Sequence, residues 1–188
     1  MSIDLKWLPN AICVARIALV LPVVMLLLDE RYALALVLIV VAGASDALDG
    51  FLAKAFNWRT RLGSLLDPAA DKLLVTSVFL SLTYLQWIPL AVTFVVVLRD
   101  VVIVIGAVAY QLTVGPVKGQ PTVISKLNTA FQLSFLVFTT TYAGFGWPSQ
   151  ISLVLLGAAV VFTSINSGLN YVLTWSKLAW QAKHPVQG

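Results

Sequence analysis

Four aspartates lie between positions 46 and 71 of a chain that has only eight acidic residues. Asp46 and Asp49 are spaced i,i+3 and Asp67 and Asp71 are spaced i,i+4, so each pair shares one face of a helix. Carboxylates brought together in this way cannot all stay ionised without compensation. Oxygen ligands without histidine or cysteine favour Mg²⁺, Mn²⁺ or Ca²⁺ over zinc. The spacing therefore indicates a site for hard divalent cations, with two ions expected.

A purely structural explanation competes with the metal site. Basic residues near the aspartates could neutralise them as ion pairs instead: Lys54, Arg59, Arg61 and Lys72. Two glycines favour a ligand-binding site over this structural explanation. Gly50 and Gly63 would each allow a ligand to approach the backbone closely. Lys54 lies one turn beyond Gly50 and could meet a phosphate. Cations together with a basic side chain are typical of a site for a diphosphate.

The composition indicates that membrane helices must position this site. Hydrophobic residues make up 60% of the chain and charged residues 11%, with a mean hydropathy of +0.93. Soluble domains carry about 25% charged residues, so the composition argues against a soluble globular protein and favours an integral membrane protein. The single cysteine (Cys13) excludes an internal disulfide, and the single histidine (His184), four residues from the end of the sequence, argues against a Ser-His-Asp site. The basic residues are dispersed, without the polybasic run that would indicate a nucleic-acid partner, so none is expected.

The apolar runs predict an all-α, polytopic membrane protein with six transmembrane helices. The expected helices cover about residues 9–28, 32–55, 64–86, 88–113, 122–145 and 150–175. Residues 1–188 are expected to form a single membrane domain. Residues 1–8 would be a short juxtamembrane segment, and residues 176–188 a cytoplasmic tail.

The distribution of basic residues predicts the orientation. Lysines and arginines concentrate around the second and fourth loops and in the tail, so these loops and both termini are expected in the cytoplasm. Counted from the outer ends of their helices at 1.5 Å per residue, all four aspartates lie about 20–26 Å deep. The active site is therefore expected just inside the cytoplasmic boundary. We expect an integral protein of a bacterial inner membrane.

The segment D-A-L-D-G-F-L-A-K, eight further residues, and G-S-L-L-D-P-A-A-D resemble a known signature. The CDP-alcohol phosphotransferase family carries D-x₂-D-G-x₂-A-R-x₈-G-x₃-D-x₃-D, with arginine where this chain has Lys54. The resemblance extends to the six-helix layout and to an early P-N-x₅-R pattern at Pro9, Asn10 and Arg16.

The resemblance implies a six-helix membrane enzyme, commonly a homodimer, that binds two divalent cations (Mg²⁺ or Mn²⁺) and a CDP-linked lipid such as CDP-diacylglycerol. Asp46, Asp49 and Asp67 would be metal ligands, and Asp71 would be both a ligand and the catalytic base. The positions that would contact the CDP-lipid are Asn10, Gly50, Lys54, Thr60 and Gly63. An acceptor hydroxyl would attack the phosphorus nearer the lipid, and CMP would leave.

The second half of the chain contains the residues that are expected to bind the acceptor. Arg99 and Asp100 interrupt the fourth helix, either as an internal ion pair or facing a hydrated cavity. Together with P-T-V-I-S-K-L-N-T at residues 121–129, they resemble the branch of the family that uses phosphatidylglycerol. Arg99, Lys126 and Asn128 are the expected acceptor residues. Glycerol 3-phosphate is the alternative acceptor. It carries more negative charge and would be bound better by a further lysine in place of Asn128.

Two rival classes of function remain at this stage. A divalent-cation channel or transporter could use the same carboxylates, but it should carry polar residues at several depths, and the outer halves of these helices are almost wholly apolar. A non-catalytic assembly subunit would not need a complete set of metal ligands and base.

Overall fold

The computed structural model describes residues 8–55, 63–113 and 122–183, with side chains described at positions 14–45, 72–106 and 122–174. These residues form helices and turns and contain no strand, which confirms the all-α prediction. The six helices are α1 (Leu8–Leu28), α2 (Tyr32–Ala55), α3 (Gly63–Tyr84), α4 (Leu90–Thr113), α5 (Val123–Phe145) and α6 (Gln150–Lys183).

Two helices end in the same hydrogen-bonded turn. At the end of α1, Glu30 has a φ of 57°, and the amide of Arg31 donates to the carbonyl of Leu26 at 2.8 Å. At the end of α3, Gln86 has a φ of 64°, and the amide of Trp87 donates to Leu82 at 2.8 Å. This six-to-one bond after a left-handed residue satisfies the last helical carbonyls and stops the helix. It explains why α3 ends at Tyr84, two residues before the expected boundary.

Helix α6 is longer than expected. It continues to Lys183, through eight residues that the sequence assigned to the tail. The extension consists of S-K-L-A-W-Q-A-K, in which alanine, leucine, lysine and glutamine all favour helix. The apolar run ends near Thr174, but the residues that follow it still favour helix. Hydropathy therefore predicted only part of α6.

The helices form two compact units. The first contains α1, α2 and α3 with the segment Leu133–Leu153, and its core is mainly apolar. Helix α1 packs against both α2 and α3. Gly43 of α2 lies close to Leu133 of α5, and the rings of Phe79 and Phe135 meet at 6.1 Å. The buried apolar side chains of this unit include Val23, Leu27, Ala35, Ile39, Val78, Phe79, Leu82 and Leu136.

One end of the first unit is held by aromatic side chains. The indole Nε1 of Trp87 donates to the hydroxyl of Tyr32 at 3.0 Å. The rings of Tyr32 and Tyr142 each meet Trp87 edge to face, with centroids 6.1 Å and 6.0 Å away. Such edge-to-face pairs add about 0.5–1.5 kcal/mol beyond their buried area. They therefore hold the start of α2, the turn after α3 and the end of α5 together.

The second unit contains α4, residues 123–132 of α5 and α6 from Val154 onward, and it differs in the chemistry of its interior. Polar side chains occupy much of that interior: Thr93, Arg99, Asp100, Asn128, Gln132, Ser164 and Ser167 are all buried. Val96 and Val160 are its buried apolar residues in the described range. A polar interior is unusual for helices with apolar outer surfaces, so this unit is the natural place to look for binding chemistry.

Among the residues with described side chains, one helical segment is long and apolar enough to cross a membrane: Gln150–Thr174, with a mean hydropathy of 1.8. Shorter apolar helical segments are Val14–Leu28, Tyr32–Ser45 and Lys72–Tyr84. Large apolar side chains are exposed on every helix, among them Leu21, Val37, Leu80, Phe94, Leu127 and Phe162. Among the residues with described side chains, each of the six helices therefore has exposed apolar surface.

Two helical glycines provide a matched test of packing. A Cβ at Gly144 would lie 3.0 Å from the Cβ of Tyr32, whereas one at Gly168 would lie 3.6 Å from the Cγ of Arg99, an ordinary contact. Gly144→Ala should therefore lower stability by about 1–3 kcal/mol through overpacking. Gly168→Ala should be neutral or stabilising, because alanine is favoured over glycine in helices by up to about 1 kcal/mol. Thermal unfolding in one detergent compares the two, and equal melting temperatures would contradict the close approach at Gly144.

Candidate functional site

The two aspartate pairs lie at the same level along their helices. Asp46 and Asp49 are about 21 and 26 Å from the start of α2 at Tyr32, at 1.5 Å per residue. Asp71 and Asp67 are about 20 and 26 Å from the end of α3. The start of α2 and the end of α3 belong to the same end of the first unit, because Trp87 bonds to Tyr32. Both pairs are thus placed near its opposite end.

The side chains of the aspartates lie outside the described residues, as do those of Asn10 and Lys54 and the surroundings of Gly50 and Gly63, and Thr60 lies outside entirely. Within the side chains that are described, no group of three metal-ligating residues occurs. The backbone register is nevertheless compatible with the expected cations. Two carboxylates from each of two helices, at one level and without soft ligands, suit hard divalent ions.

Arg16 is a buried residue to which the sequence assigned no role of its own. Its side chain is only 1% exposed, and it belongs to α1, which packs against the two helices that carry the aspartates. Counted from Leu28 at the end of α1, Arg16 is about 18 Å along the axis, within two turns of the level of the aspartates. A guanidinium removed from solvent requires compensation by anionic or polar groups. Arg16 is therefore a buried cation on the helix that packs against both aspartate-bearing helices.

Arg99 forms the centre of a hydrogen-bonded network in the second unit. Its Nη1 donates to Oδ1 of Asp100 at 2.6 Å, and its Nη2 donates to the hydroxyls of Ser125 on α5 and Ser167 on α6, each at 2.7 Å. Arg99 and Asp100 are 5% and 7% exposed. Of the two explanations that the sequence left open, the internal ion pair is present. The long arginine side chain spans the turn of about 100° between adjacent helical residues.

These bonds leave Arg99 with limited capacity for a ligand. A guanidinium has five N–H donors, and both hydrogens of Nη2 are used by the two serines. Each two-pronged edge that could bind a phosphate includes an Nη2 hydrogen, so neither edge is free in this arrangement. The Nε atom is buried and has no hydrogen-bond partner among the described residues. Arg99 can therefore offer a ligand its charge and single donors, but no complete fork.

Asn128 connects α5 to α6. Its Oδ1 accepts from the hydroxyls of Thr163 at 2.9 Å and Ser164 at 2.8 Å. The residue is fully buried, and its Nδ2 has no hydrogen-bond partner in the described part of the chain. Asn128 is thus both an interhelical contact and a donor with unused capacity.

Lys126, the third expected acceptor residue, is placed differently. Its side chain is on the exposed side of α5, about 100° around the helix from Ser125. Within the described part of the second unit, no bond joins Lys126 to Arg99. The structure thus brings Arg99 and Asn128 into one polar interior and leaves Lys126 at its outside.

Gln132 is a buried polar residue that the sequence interpretation missed. It is 1% exposed, and neither Nε2 nor Oε1 has a hydrogen-bond partner among the described residues. The sequence did contain a signal, because Ser125, Asn128 and Gln132 recur at i, i+3 and i+7 and so share one face of α5. In a helix this apolar, a polar stripe at that spacing indicates a face turned toward polar groups.

Comparison with known proteins adds independent evidence. Residues 6–166 match the model of the CDP-alcohol phosphatidyltransferase family. The chain is 33% identical to the cardiolipin synthases (CMP-forming) of Rattus norvegicus and Homo sapiens, with 90% and 87% of this chain covered. It spans 62% and 60% of the length of those two relatives. It is also 30% identical to a CDP-diacylglycerol–glycerol-3-phosphate 3-phosphatidyltransferase of Rickettsia prowazekii, over 91% of this chain and 96% of the relative.

The buried ion pair leads to a stability prediction. Arg99→Met leaves the Asp100 carboxylate without its guanidinium partner, which should cost about 3–5 kcal/mol. Adding Asp100→Asn should restore part of that loss, because the buried charge is then removed as well. Thermal unfolding of the two single variants and the double variant measures the coupling. Strictly additive losses would show that the 2.6 Å contact does not stabilise the fold.

Proposed function

The chain belongs to the CDP-alcohol phosphatidyltransferase family, and we propose that it is a cardiolipin synthase that transfers a phosphatidyl group from CDP-diacylglycerol to phosphatidylglycerol. CMP is the second product. The observation that carries this proposal is the complete aspartate signature at one level of α2 and α3. The match to the family model over residues 6–166 supports it independently.

The donor site is proposed at the aspartate ends of α2 and α3. Asp46, Asp49, Asp67 and Asp71 would hold two divalent cations, Mg²⁺ or Mn²⁺, which supply charge neutralisation for the diphosphate and the departing CMP. The residues proposed to contact the CDP-lipid are Asn10, Gly50, Lys54, Thr60 and Gly63. Their types suit a diphosphate, because glycine permits close approach of the backbone and lysine supplies positive charge.

Asp71 is proposed as the general base. Its carboxylate accepts the proton of the acceptor hydroxyl, whose oxygen forms a bond to the phosphorus that carries diacylglycerol. The bond between that phosphorus and the oxygen bridging to CMP breaks, and the bridging oxygen leaves with CMP. One P–O bond forms and one breaks, so no oxidant or further reactant is required.

The acceptor site is proposed in the polar interior of the second unit. Arg99 supplies a buried positive charge that stabilises the phosphodiester of phosphatidylglycerol, with Lys126 adding charge from the exposed side of α5. Asn128 supplies a neutral donor through Nδ2, which has no partner among the described residues. Arg99 and Asp100 together carry no net charge, so with Lys126 the proposed site has one net positive charge. That charge suits a phosphodiester with one negative charge, and a dianion would require more.

We also propose that all six helices cross a membrane, with both termini and the donor site on the cytoplasmic side. The apolar side chains exposed along every helix support this arrangement. The chain would form one membrane domain over residues 1–188 and would act as a homodimer in a bacterial inner membrane.

Glycerol 3-phosphate is the second candidate acceptor, because a relative of that activity covers 91% of this chain at 30% identity. The 33% identity to cardiolipin synthases and the asparagine at position 128 favour phosphatidylglycerol. A cation transporter finds no support in these comparisons. Purified protein in vesicles with CDP-diacylglycerol and Mg²⁺ separates the two acceptors, each supplied alone, with CMP release and the lipid product measured. Cardiolipin is the expected product, and phosphatidylglycerophosphate alone would overturn the choice of acceptor.

Asp71→Asn should lower the rate of CMP release by about 10²–10⁴-fold, the usual contribution of a general base. Asp29→Asn is a matched control, since Asp29 lies exposed in the turn after α1 and should leave the rate unchanged. Both variants are expected to insert and fold. Release at the wild-type rate from Asp71→Asn would remove this residue from the mechanism.

Divalent metal should be required for turnover. A chelator in excess should abolish CMP release, and added Mg²⁺ or Mn²⁺ should restore it, because nearby basic residues are too few to offset both four carboxylates and a diphosphate. The measurement is the rate against free metal concentration. Full activity in excess chelator would instead favour ion pairing as the role of the aspartates.

A further inference from the structure

The polar interior of the second unit contains more hydrogen-bonding capacity than the protein uses. Both amide atoms of Gln132 and the Nδ2 of Asn128 are buried without partners in the described part of the chain. An unpaired polar group in an apolar interior costs free energy, and buried amides are nearly always bonded. Buried polar atoms that make no hydrogen bond within the described part of the chain are therefore candidates for ligand recognition.

The unpaired atoms share one face of α5 with a serine that binds Arg99 of α4. Ser125 lies at the start of this face and accepts a hydrogen bond from Arg99 at 2.7 Å. Asn128 follows at i+3 and Gln132 at i+7, about 10 Å farther along the axis. Long side chains in a helix lean back toward its N-terminus, so the Gln132 amide is expected over the turn of Asn128. The face therefore begins at a serine bound to the Arg99 guanidinium and continues with neutral amides.

That order of groups, a guanidinium and a serine hydroxyl followed by neutral amides, matches the chemistry of a glycerol phosphate ester. The anionic oxygens suit Arg99 and the serine hydroxyl, and the hydroxyls of the glycerol suit neutral amides. A glutamine amide offers two donors and one acceptor oxygen, while an alcohol offers one donor and two lone pairs, so the two can satisfy each other. A carboxylate or ammonium group would find no compensating charge at Gln132.

We infer that Gln132 binds the secondary hydroxyl of the acceptor's glycerol group and thereby helps to select glycerol-containing acceptors. The inference rests on the proposed function, in which the neighbouring primary hydroxyl attacks phosphorus. It does not depend on which of the two candidate acceptors is used, because phosphatidylglycerol and glycerol 3-phosphate share this hydroxyl. Gln132 contacts the acceptor in this proposal and takes no part in proton transfer.

The test compares phosphatidylglycerol with phosphatidyl-1,3-propanediol, which lacks only the secondary hydroxyl. Wild-type protein should use the propanediol lipid about 10–100-fold less efficiently in kcat/KM, since buried amide groups are left unpaired. Gln132→Met keeps the length of the side chain without its polar atoms. It should lose most of the activity with phosphatidylglycerol through a raised KM, and keep its activity with the propanediol lipid.

Thr139→Val is the matched control. It removes another buried hydroxyl that has no partner among the described residues, on the same helix but in the first unit, and it should leave the preference for the hydroxyl intact. Gln132→Asn retains an amide on a shorter side chain and should show an intermediate preference. Should Gln132→Met be too unstable to assay, Gln132→Asn decides the question alone.

An equal loss on both lipids in the Gln132 variants would overturn the inference, because it would show a purely structural role or a site for water alone. Failure of the proposed function has a different signature in wild-type protein. If only glycerol 3-phosphate is used, the same comparison is made with 3-hydroxypropyl phosphate, which also lacks the secondary hydroxyl. If wild-type protein releases no CMP with any acceptor, the proposed function and the inference fail together.

Discussion

A guanidinium buried among apolar helices is the constraint around which the second unit is organised. Arg99 is stabilised there because an adjacent carboxylate and two serine hydroxyls accept three of its five N–H donors at 2.6–2.7 Å. Each partner imposes a requirement on a different element, since Asp100 belongs to α4, Ser125 to α5 and Ser167 to α6. Breaking a buried pair of this kind by removing one partner costs about 3–5 kcal/mol. One charged side chain thus fixes which faces of three helices turn inward.

The first unit is stabilised in a different way from the second. Its interior is held by aliphatic and aromatic packing, and the Tyr32–Trp87–Tyr142 contacts fix one end. This leaves the opposite ends of α2 and α3 to carry the four aspartates. Carboxylates brought together repel each other, which would favour separation of the two helices. The apolar packing of α1 against both helices, with Arg16 buried on it, opposes that separation, and bound cations would oppose it further.

Much of this organisation could be predicted from the sequence. Apolar runs bounded by proline, glycine and interfacial aromatics predicted the limits of α1 to α5 to within two residues, because hydropathy and helix ends coincide there. They failed at the end of α6, where polar helix-forming residues continue the helix to Lys183. The level of the aspartates followed from helical rise alone. The partners of Arg99 did not, because contacts between distant helices depend on how side chains pack, which spacing along one helix does not specify. Gln132 was missed for a related reason: a single buried amide is noticeable only when its missing partners can be seen.

The most direct test of phosphatidyl transfer to a glycerol hydroxyl is to follow the acceptor oxygen itself. Purified protein would be supplied with CDP-diacylglycerol, Mg²⁺ and phosphatidylglycerol that carries ¹⁸O in its terminal hydroxyl. Mass spectrometry would then measure the masses of the products. Attack by that hydroxyl on the lipid-bearing phosphorus predicts labelled cardiolipin and unlabelled CMP. Unlabelled cardiolipin, or phosphatidic acid together with a labelled CMP ester of phosphatidylglycerol, would contradict the proposed chemistry.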